Sequence, residues 1–260
     1  MNKEDVFKEI LRMAHEKDAD VIRFCQSIIN LTNGTNNSNP ESNGEHALAR
    51  MMLPMAKTVF DVGTNAGEWT KFALGVNPSV NIHCFEASKI HHERLLNSGF
   101  SQNVSIIFAA VCDQVGYIDF HIFDEKSEGN SIYKRHGLKK GFGLEEQKIT
   151  ESVPSITIDY YCQVNAVDCI DFLKIDVEGA EIDVLSGAKT MFSEKRVKVA
   201  VLEYGATWIP ARKNLKDLHD FAGDVGYSIK KIYPNYAVPC DDYDVRMDNF
   251  AYQNWMLSPK

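Results

Sequence analysis

The chain has 260 residues, 44% of them apolar and 25% charged, and a formal net charge of −8. Such a composition describes a globular protein able to bury a sizeable core. Its acidic balance weighs against a nucleic-acid partner, whose phosphates favour a basic face. No apolar run approaches the roughly 20 residues of a membrane-spanning helix, and the N-terminal stretch MNKEDVFKEILRMAHEKDAD is charged throughout. Neither a membrane partner nor a secretory leader is expected. The six cysteines lack metal-ligand spacing. Cys84 and Cys112 lie in apolar runs and read as small core residues, and reduced thiols imply a cytoplasmic location.

Val6, Phe7, Ile10 and Leu11, then Val21, Ile22, Cys25, Ile28 and Ile29, recur at helical spacing and predict two short helices broken near Lys17 and Asp18. This amphipathic pair could pack on its own domain or on a second copy of the chain. The Asn-rich TNGTNNSNPESNGEH reads as a loop or lid, followed by a helix over 45–55. Strand-like runs then fall at 58–62, 81–85, 104–110, 172–177 and 197–202, and most lead into helix-like segments at 68–76, 88–97, 180–192 and 214–225. The third run instead leads into YIDFHIF, an alternating strand that looks like half of a hairpin. Two further strands are predicted at 228–232 and 251–257, with no helix between them, which suggests an antiparallel strand near one edge. Apolar strands alternating with helices predict an α/β fold, a doubly wound, mostly parallel sheet with helices on both faces. The expected organisation is 1–56 as N-terminal helices and a polar lid segment, and 57–260 as one globular unit. The polar, Gly-rich stretch 125–152 is an insertion within that unit and a candidate substrate loop.

Ligands of open α/β sheets bind beyond the carboxyl ends of the strands. The stretch VFDVGTNAGEWT is a strand end, a tight turn and a helix start. Gly63 and Gly67 let the backbone approach a ligand, and the helix N-terminus favours an anionic group. A dinucleotide fingerprint would read G-x-G-x-x-G. Here the pattern is D-x-G-x-N-x-G, which puts the carboxylate of Asp61 where a pyrophosphate would be poorly served and an amine or sulfonium would be welcome. Glu86 ends the second strand in IHCFEAS, 23 residues after Gly63 and close to the spacing of an acid that holds ribose hydroxyls. A ligand with a ribose, a cationic amino-acid portion and a carboxylate is S-adenosylmethionine.

Together, DVGTNAGEWT, FEAS, AAVCDQVGYIDF and FLKIDVEGAEIDVLSGA resemble the FkbM-type family of class I S-adenosylmethionine-dependent methyltransferases, over about residues 43–203. The resemblance implies a Rossmann-like seven-stranded sheet with its last strand antiparallel, and O-methyl transfer to a hydroxyl. By position, Asp61, Gly63, Asn65 and Gly67 resemble the cofactor turn, and Glu86, with Ala87, the ribose site. Ala110, Val111 and Asp113 fall in the adenine-side turn. Asp176 resembles the acid beside the methyl group and the substrate. SNGEH, with Asn43 and Glu45, resembles a segment that closes over the cofactor. Thr64 stands where many members have Ala.

Bland readings compete at several positions. Asp61 could simply cap the next helix, yet Glu86 and Asp176 fall where the same ligand would need them. Four acids, Asp176, Glu178, Glu181 and Asp183, partly reflect a helix dipole, and Asp183 is expected in solvent. Asp176 and Glu178 end the fourth strand, and Glu203 ends the fifth. Asp176 and Glu203 could share Mg²⁺, but two carboxylates are thin evidence and a metal is not favoured. His91 and His92 read as solvated and His121 as structural, whereas His136 is a candidate substrate-side base and Ser131 a candidate contact. Lys134, Arg135, Lys139 and Lys140 read as a solvated face, or as a site for a phosphorylated or nucleotide-linked sugar.

A hydroxyl nucleophile must lose its proton, and the expected base is Asp176, assisted by Glu178, Glu203 or His136. The expected acceptor is a small sugar or sugar-derived hydroxyl, as in polysaccharide biosynthesis. The alternatives are a polyketide or other natural-product hydroxyl, or a non-catalytic protein that binds S-adenosylmethionine. A nicotinamide oxidoreductase is disfavoured by the absent second Gly. A base-amine methyltransferase is disfavoured by DVEG in place of N-P-P-Y.

Overall fold

The computed structural model describes residues 2–123, 129–135 and 149–260. Two helices open the chain, α1 (Lys3–His15) and α2 (Ala19–Asn33), separated at Lys17, whose φ is +59°. Asn2 and Asp5 form a reciprocal capping box on α1, and Asp18 caps α2 by accepting from the N–H groups of Asp20 and Val21. Neither helix has a buried residue. The next helix, α3 (Glu45–Met52), continues as a short 3₁₀ turn to Met55; Ala49 and Leu53 are fully buried there against the sheet.

The core is built from β1 (Thr58–Val62), α4 (Glu68–Val76), β2 (Asn81–Glu86), α5 (Lys89–Leu96) and β3 (Val104–Phe108). A side sheet follows, of β4 (Ala110–Val111), β5 (Gly116–Ile122) and β6 (Ile149–Ile156). The chain returns through α6 (Ile158–Val164), β7 (Phe172–Ile175), α7 (Glu181–Ser186), α8 (Lys189–Ser193), β8 (Ala200–Tyr204), α9 (Trp208–Ala211) and α10 (Leu215–Val225). It ends in β9 (Tyr227–Tyr233), β10 (Tyr236–Pro239) and β11 (Gln253–Pro259). The main sheet runs β10-β9-β11-β8-β7-β1-β2-β3. β7, β1, β2 and β3 are parallel to one another and to β8, and β11 lies antiparallel between β8 and β9. One core cluster fills one face of the sheet beneath α6 to α10; a second, around Val59, Trp69, Phe172 and Met256, fills the other beneath α3 and α4.

The doubly wound architecture is as expected, with corrections of detail. Among the described residues the main sheet has eight strands rather than seven. The extra one, β10, is folded back on β9 by the two residues Pro234 and Asn235, and Pro239 is tolerated because β10 is an edge. The run 104–110 is not one strand: it stops at Phe108 and crosses to the side sheet at Ala110. The partner of YIDFHIF is β6, whose first residues fall in the predicted polar insertion; its first four residues are largely exposed and only Val153 and Ser155 are buried, so it carries no apolar alternation. The helix over 180–192 is two helices broken at Gly187, where a Cβ would stand 2.1 Å from the Cys112 carbonyl oxygen. His91 is not solvated but 4% exposed, and Asp183 is 8% exposed, taking hydrogen bonds and charge from Tyr133 (2.5 Å) and Lys213 (3.6 Å). Arg135, expected on a solvated face, is 5% exposed. His136, Lys139 and Lys140 lie outside the described residues.

Candidate active site

A cavity of about 490 Å³ opens at the carboxyl ends of β1, β2, β7 and β8. Its floor is the turn after β1. Gly63 has a φ of +82°, and a Cβ on it would stand 1.8 Å from the Asp176 carbonyl oxygen, so only glycine lets the β1 and β7 turns meet. The N–H groups of Gly63 and Thr64 both donate to the Phe85 carbonyl, at 3.0 and 3.1 Å. These bonds tie the first turn to the end of β2.

Glu86 is the product of that tie. Its Oε2 accepts from the Asn65 N–H and its Oε1 from the Ser88 N–H, both at 2.7 Å. Each oxygen keeps lone pairs toward the cavity, which Glu86 lines. Burial pushes its pKa up to about 7, with the backbone N–H donors pulling the other way. Phe85, Ala87, Ala110, Val111 and Phe120 give the adjoining wall an apolar surface. A flat heterocycle fits that wall and a vicinal diol fits the Glu86 carboxylate.

The other end of the cavity is acidic. Lys174 reaches up from β7 between Asp176, at 3.1 Å, and Asp61, at 3.8 Å. Asp61 is fully buried; it accepts from the Thr70 hydroxyl at 2.7 Å, and burial raises its pKa. Glu178 has a φ of +60° and pairs with Arg135 at 3.0 Å, while its carbonyl accepts from Ser131 Oγ at 2.8 Å and from Arg135. Glu181 turns back to accept from the N–H groups of Val177 and Gly179, and burial raises its pKa to about 8. Glu203 and Glu45 line the cavity as well. Burial is the chief cause raising the pKa of both.

The structure therefore brings Glu45, Gly63, Asn65, Glu86, Ala87, Ala110, Val111, Asp176, Glu178 and Glu203 to one cavity. It does not bring all the sequence candidates there. Asp61 lies under the floor, behind Lys174. Gly67 faces Leu95 and Phe100, and a Cβ would stand 2.8 and 2.9 Å from them. Asp113 is exposed beyond the apolar wall. Ser131 is fully buried under Glu178 rather than open to a ligand.

Several lining residues gave no signal in the sequence. Tyr252 comes from the approach to β11; its backbone is clamped to Asn36 by two hydrogen bonds, and its hydroxyl accepts from Asn43 Nδ2 at 3.3 Å. The Asn-rich stretch is thus tied to the cavity wall at Asn36 and Asn43, and the Asn43 side chain also accepts from the Glu45 N–H at the start of α3, at 2.9 Å. Trp69 lines the cavity with a buried indole N–H that has no partner among the described residues. His46 and His91 complete the lining. Among the described residues no group of three or more His, Cys, Asp or Glu side chains is placed to hold a metal ion.

The methyltransferase FkbM domain model matches residues 61–229, a span that carries every strand end just described except those of the C-terminal edge. The chain is 27% identical over 149 residues to the 2-O-methyltransferase NoeI of Sinorhizobium fredii, covering 53% of this chain and 60% of NoeI. It is 24% identical over 192 residues to the 31-O-demethyl-FK506 methyltransferase FkbM of Streptomyces tacrolimicus, covering 65% of this chain and 67% of that protein. Among solved structures it is similar to a methyltransferase FkbM from Methylobacillus flagellatus, at 17% identity and a TM-score of 0.48, covering 78% of this chain and 43% of that one. The D-x-G-x-N-x-G turn, the Glu86 clamp and the matched domain agree, and the chain belongs to the FkbM methyltransferase family.

Proposed function

We propose that this protein is an S-adenosylmethionine-dependent O-methyltransferase acting on a hydroxyl of a small sugar or sugar-derived acceptor. The observation that carries the reading is Glu86, a buried carboxylate oriented by N–H groups from the turns after β1 and β2 at the rim of an apolar slot. The residues present fit the cofactor. Glu86 would take the ribose hydroxyls, and Ala87, Ala110 and Val111 would flank the adenine. Glu45 and Asp176 would face the cationic methionine end, where Gly63 and Asn65 keep the backbone open. Asp61 would act through Lys174 from below. When bound, the sulfonium supplies an already activated methyl group, so positioning contributes much of the rate.

Among the described residues, Lys174 is the one Lys or Arg lining the cavity, and two carboxylates already hold it. Arg135 is taken up by Glu178. This supports an uncharged acceptor over a phosphorylated one. The net charge of −8 supports a small molecule over a nucleic acid. Six free cysteines support a reducing compartment, the cytoplasm; no helix among the described residues is long and apolar enough to cross a membrane. We further propose that α1 and α2 pair with a second copy. Phe7, Leu11, Phe24, Ile28 and Leu31 are exposed on them, while the charges of α1 and α2 are matched internally by Glu4–Lys8, Glu9–Arg12–Glu16 and Asp20–Arg23.

Calorimetric titration with S-adenosylmethionine, S-adenosylhomocysteine and NAD tests the reading. Micromolar binding of both adenosyl ligands, absent for NAD and lost in Glu86→Ala, is the expected result. Binding of NAD alone would sink it.

A further inference from the structure

The cavity holds more carboxylates than the cofactor needs, and the structure separates them by what each already binds. Asp176 is held by the Lys174 ammonium at 3.1 Å, and Glu178 by the Arg135 guanidinium at 3.0 Å. Glu86 accepts two backbone N–H groups. Each of these bonds occupies a carboxylate lone pair that a substrate hydroxyl would otherwise meet. Glu203 is different. No hydrogen bond or ion pair reaches its side chain among the described residues, yet it lines the cavity next to Asp176. Its backbone is rigidly placed: β8 lies between β7 and β11, Glu203 is opposite Asn254, and its carbonyl accepts from the Trp208 indole N–H at 3.1 Å.

Resting on the methyltransferase reading above, we propose that Glu203 is the general base that takes the proton of the acceptor hydroxyl. In the step, the acceptor O–H bond breaks and its proton bonds to a Glu203 carboxylate oxygen. The acceptor oxygen forms its bond to the methyl carbon as the sulfur–methyl bond breaks. The sulfur keeps that electron pair and becomes a neutral thioether. Glu203 then returns the proton to water. The groups around it favour this role. Burial does most to raise its affinity for a proton, and Asp176, Glu178 and Glu181, from the β7 turn and α7, add to it; Lys174 of β7 opposes them more weakly. Glu45 of α3 and Tyr252 before β11 close the remaining side, and the Tyr252 phenol is itself pushed toward its neutral form by burial and then by Glu203 and Glu45. Glu45 and Glu68 are the other cavity carboxylates without such a bond among the described residues; Glu68 is exposed, and Glu45 sits in the first turn of α3, where the helix dipole favours its anion, with Lys174 its foremost opposing charge. General bases work best with a pKa near the operating pH.

The experiment uses the full chain with its glutamate carboxyl carbons ¹³C-labelled, saturated with S-adenosylhomocysteine. The resonance missing from Glu203→Gln identifies Glu203. A titration midpoint well above the roughly 4.3 of an ordinary glutamate is expected. Turnover is followed with a panel of methyl glycosides as acceptors. There Glu203→Gln should lower kcat by about 100-fold or more while leaving the S-adenosylmethionine Kd within about twofold. Glu45→Gln should instead weaken cofactor binding and keep the pH dependence of kcat. An ordinary midpoint for Glu203, or retained turnover in Glu203→Gln, overturns the base role alone. Failure of the unaltered protein to bind either adenosyl ligand overturns the methyltransferase reading, and the base role with it.

Discussion

Lys174 Nζ lies 3.1 Å from Asp176 Oδ2, and the same ammonium faces the fully buried Asp61 at 3.8 Å. One cation thus serves an acid that lines the cavity and an acid beneath its floor. Lys174→Met would leave Asp61 buried without a counter-charge. Losses of that kind cost about 3–5 kcal/mol. Asp176, with a third of its side chain exposed, would add little. The expected result is a lower urea midpoint at pH 8 and a smaller loss at pH 5, where Asp61, whose pKa burial already raises, can protonate instead. Equal losses at both pH values would show that the charge pairing is not the cause.

Glu86 makes stability depend on pH in the opposite sense to an ordinary paired acid. Its folded pKa is raised from 4.5 to about 7, so the folded state holds a proton that the unfolded chain releases. That contribution is fully present below about pH 4.5 and is lost as pH rises through about 7. At 1.36 kcal/mol per pH unit the loss approaches about 3 kcal/mol. Ligand-free protein should therefore show a falling Tm between pH 5 and 7.5, and Glu86→Gln should flatten the fall. A Tm that rises across this window in both proteins would contradict the assignment.

Gly63→Ala must accommodate a Cβ 1.8 Å from the Asp176 carbonyl oxygen at a φ of +82°. A left-handed non-glycine residue costs about 1–2 kcal/mol before any overlap, so the turns after β1 and β7 should separate and the total exceed about 2 kcal/mol. Denaturant unfolding and calorimetry should report lost stability and lost cofactor binding together. Stability within about 0.5 kcal/mol of the unaltered protein would mean that the two turns are not as tightly apposed.

Segment 129–135 is fastened to the rim by Tyr133 on Asp183 and Arg135 on Glu178. Because the fastening joins the side sheet to the turn after β7, its loss should open this segment locally rather than unfold the sheet. Arg135→Ala should raise amide exchange of residues 129–133 by at least tenfold while the exchange of β1 and β7 is unchanged. Uniform acceleration would point to global destabilisation.

The exposed apolar residues of α1 and α2 carry the dimer proposal. Phe24→Glu with Leu31→Glu should shift the sedimentation coefficient from dimer to monomer and lower Tm by no more than the lost association accounts for, since neither helix has a residue buried within its own chain. A monomeric unaltered protein would remove the proposal.

Elements with a strong period were legible before any coordinates. β1 and α4 fall where the apolar run and the helix spacing put them. The exceptions have two causes. β6 carries polar residues on its solvent face, β10 is a short edge strand with a proline, and the break at Gly187 exists because the Cys112 carbonyl crosses there. β10 pairs with the adjacent β9 and is too short to show a period, whereas β6 and the break at Gly187 depend on neighbours far away in sequence, which a local period does not register. The same holds for His91 and Asp183, polar residues on helix surfaces that other segments happen to cover.

At the site, the sequence alone determined the parts that are written contiguously: the Gly63 turn, the acid Glu86 at its spacing, and the acids that end β7 and β8. Backbone conformation and strand ends are local properties, so a single chain carries them. Tertiary structure decided which of those acids are free. Lys174 and Arg135 occupy Asp176 and Glu178, Glu203 keeps an unpaired carboxylate, and Tyr252 arrives from the far end of the chain to close the wall. Charge pairing acts through space over a few ångströms, and sequence order does not encode that distance.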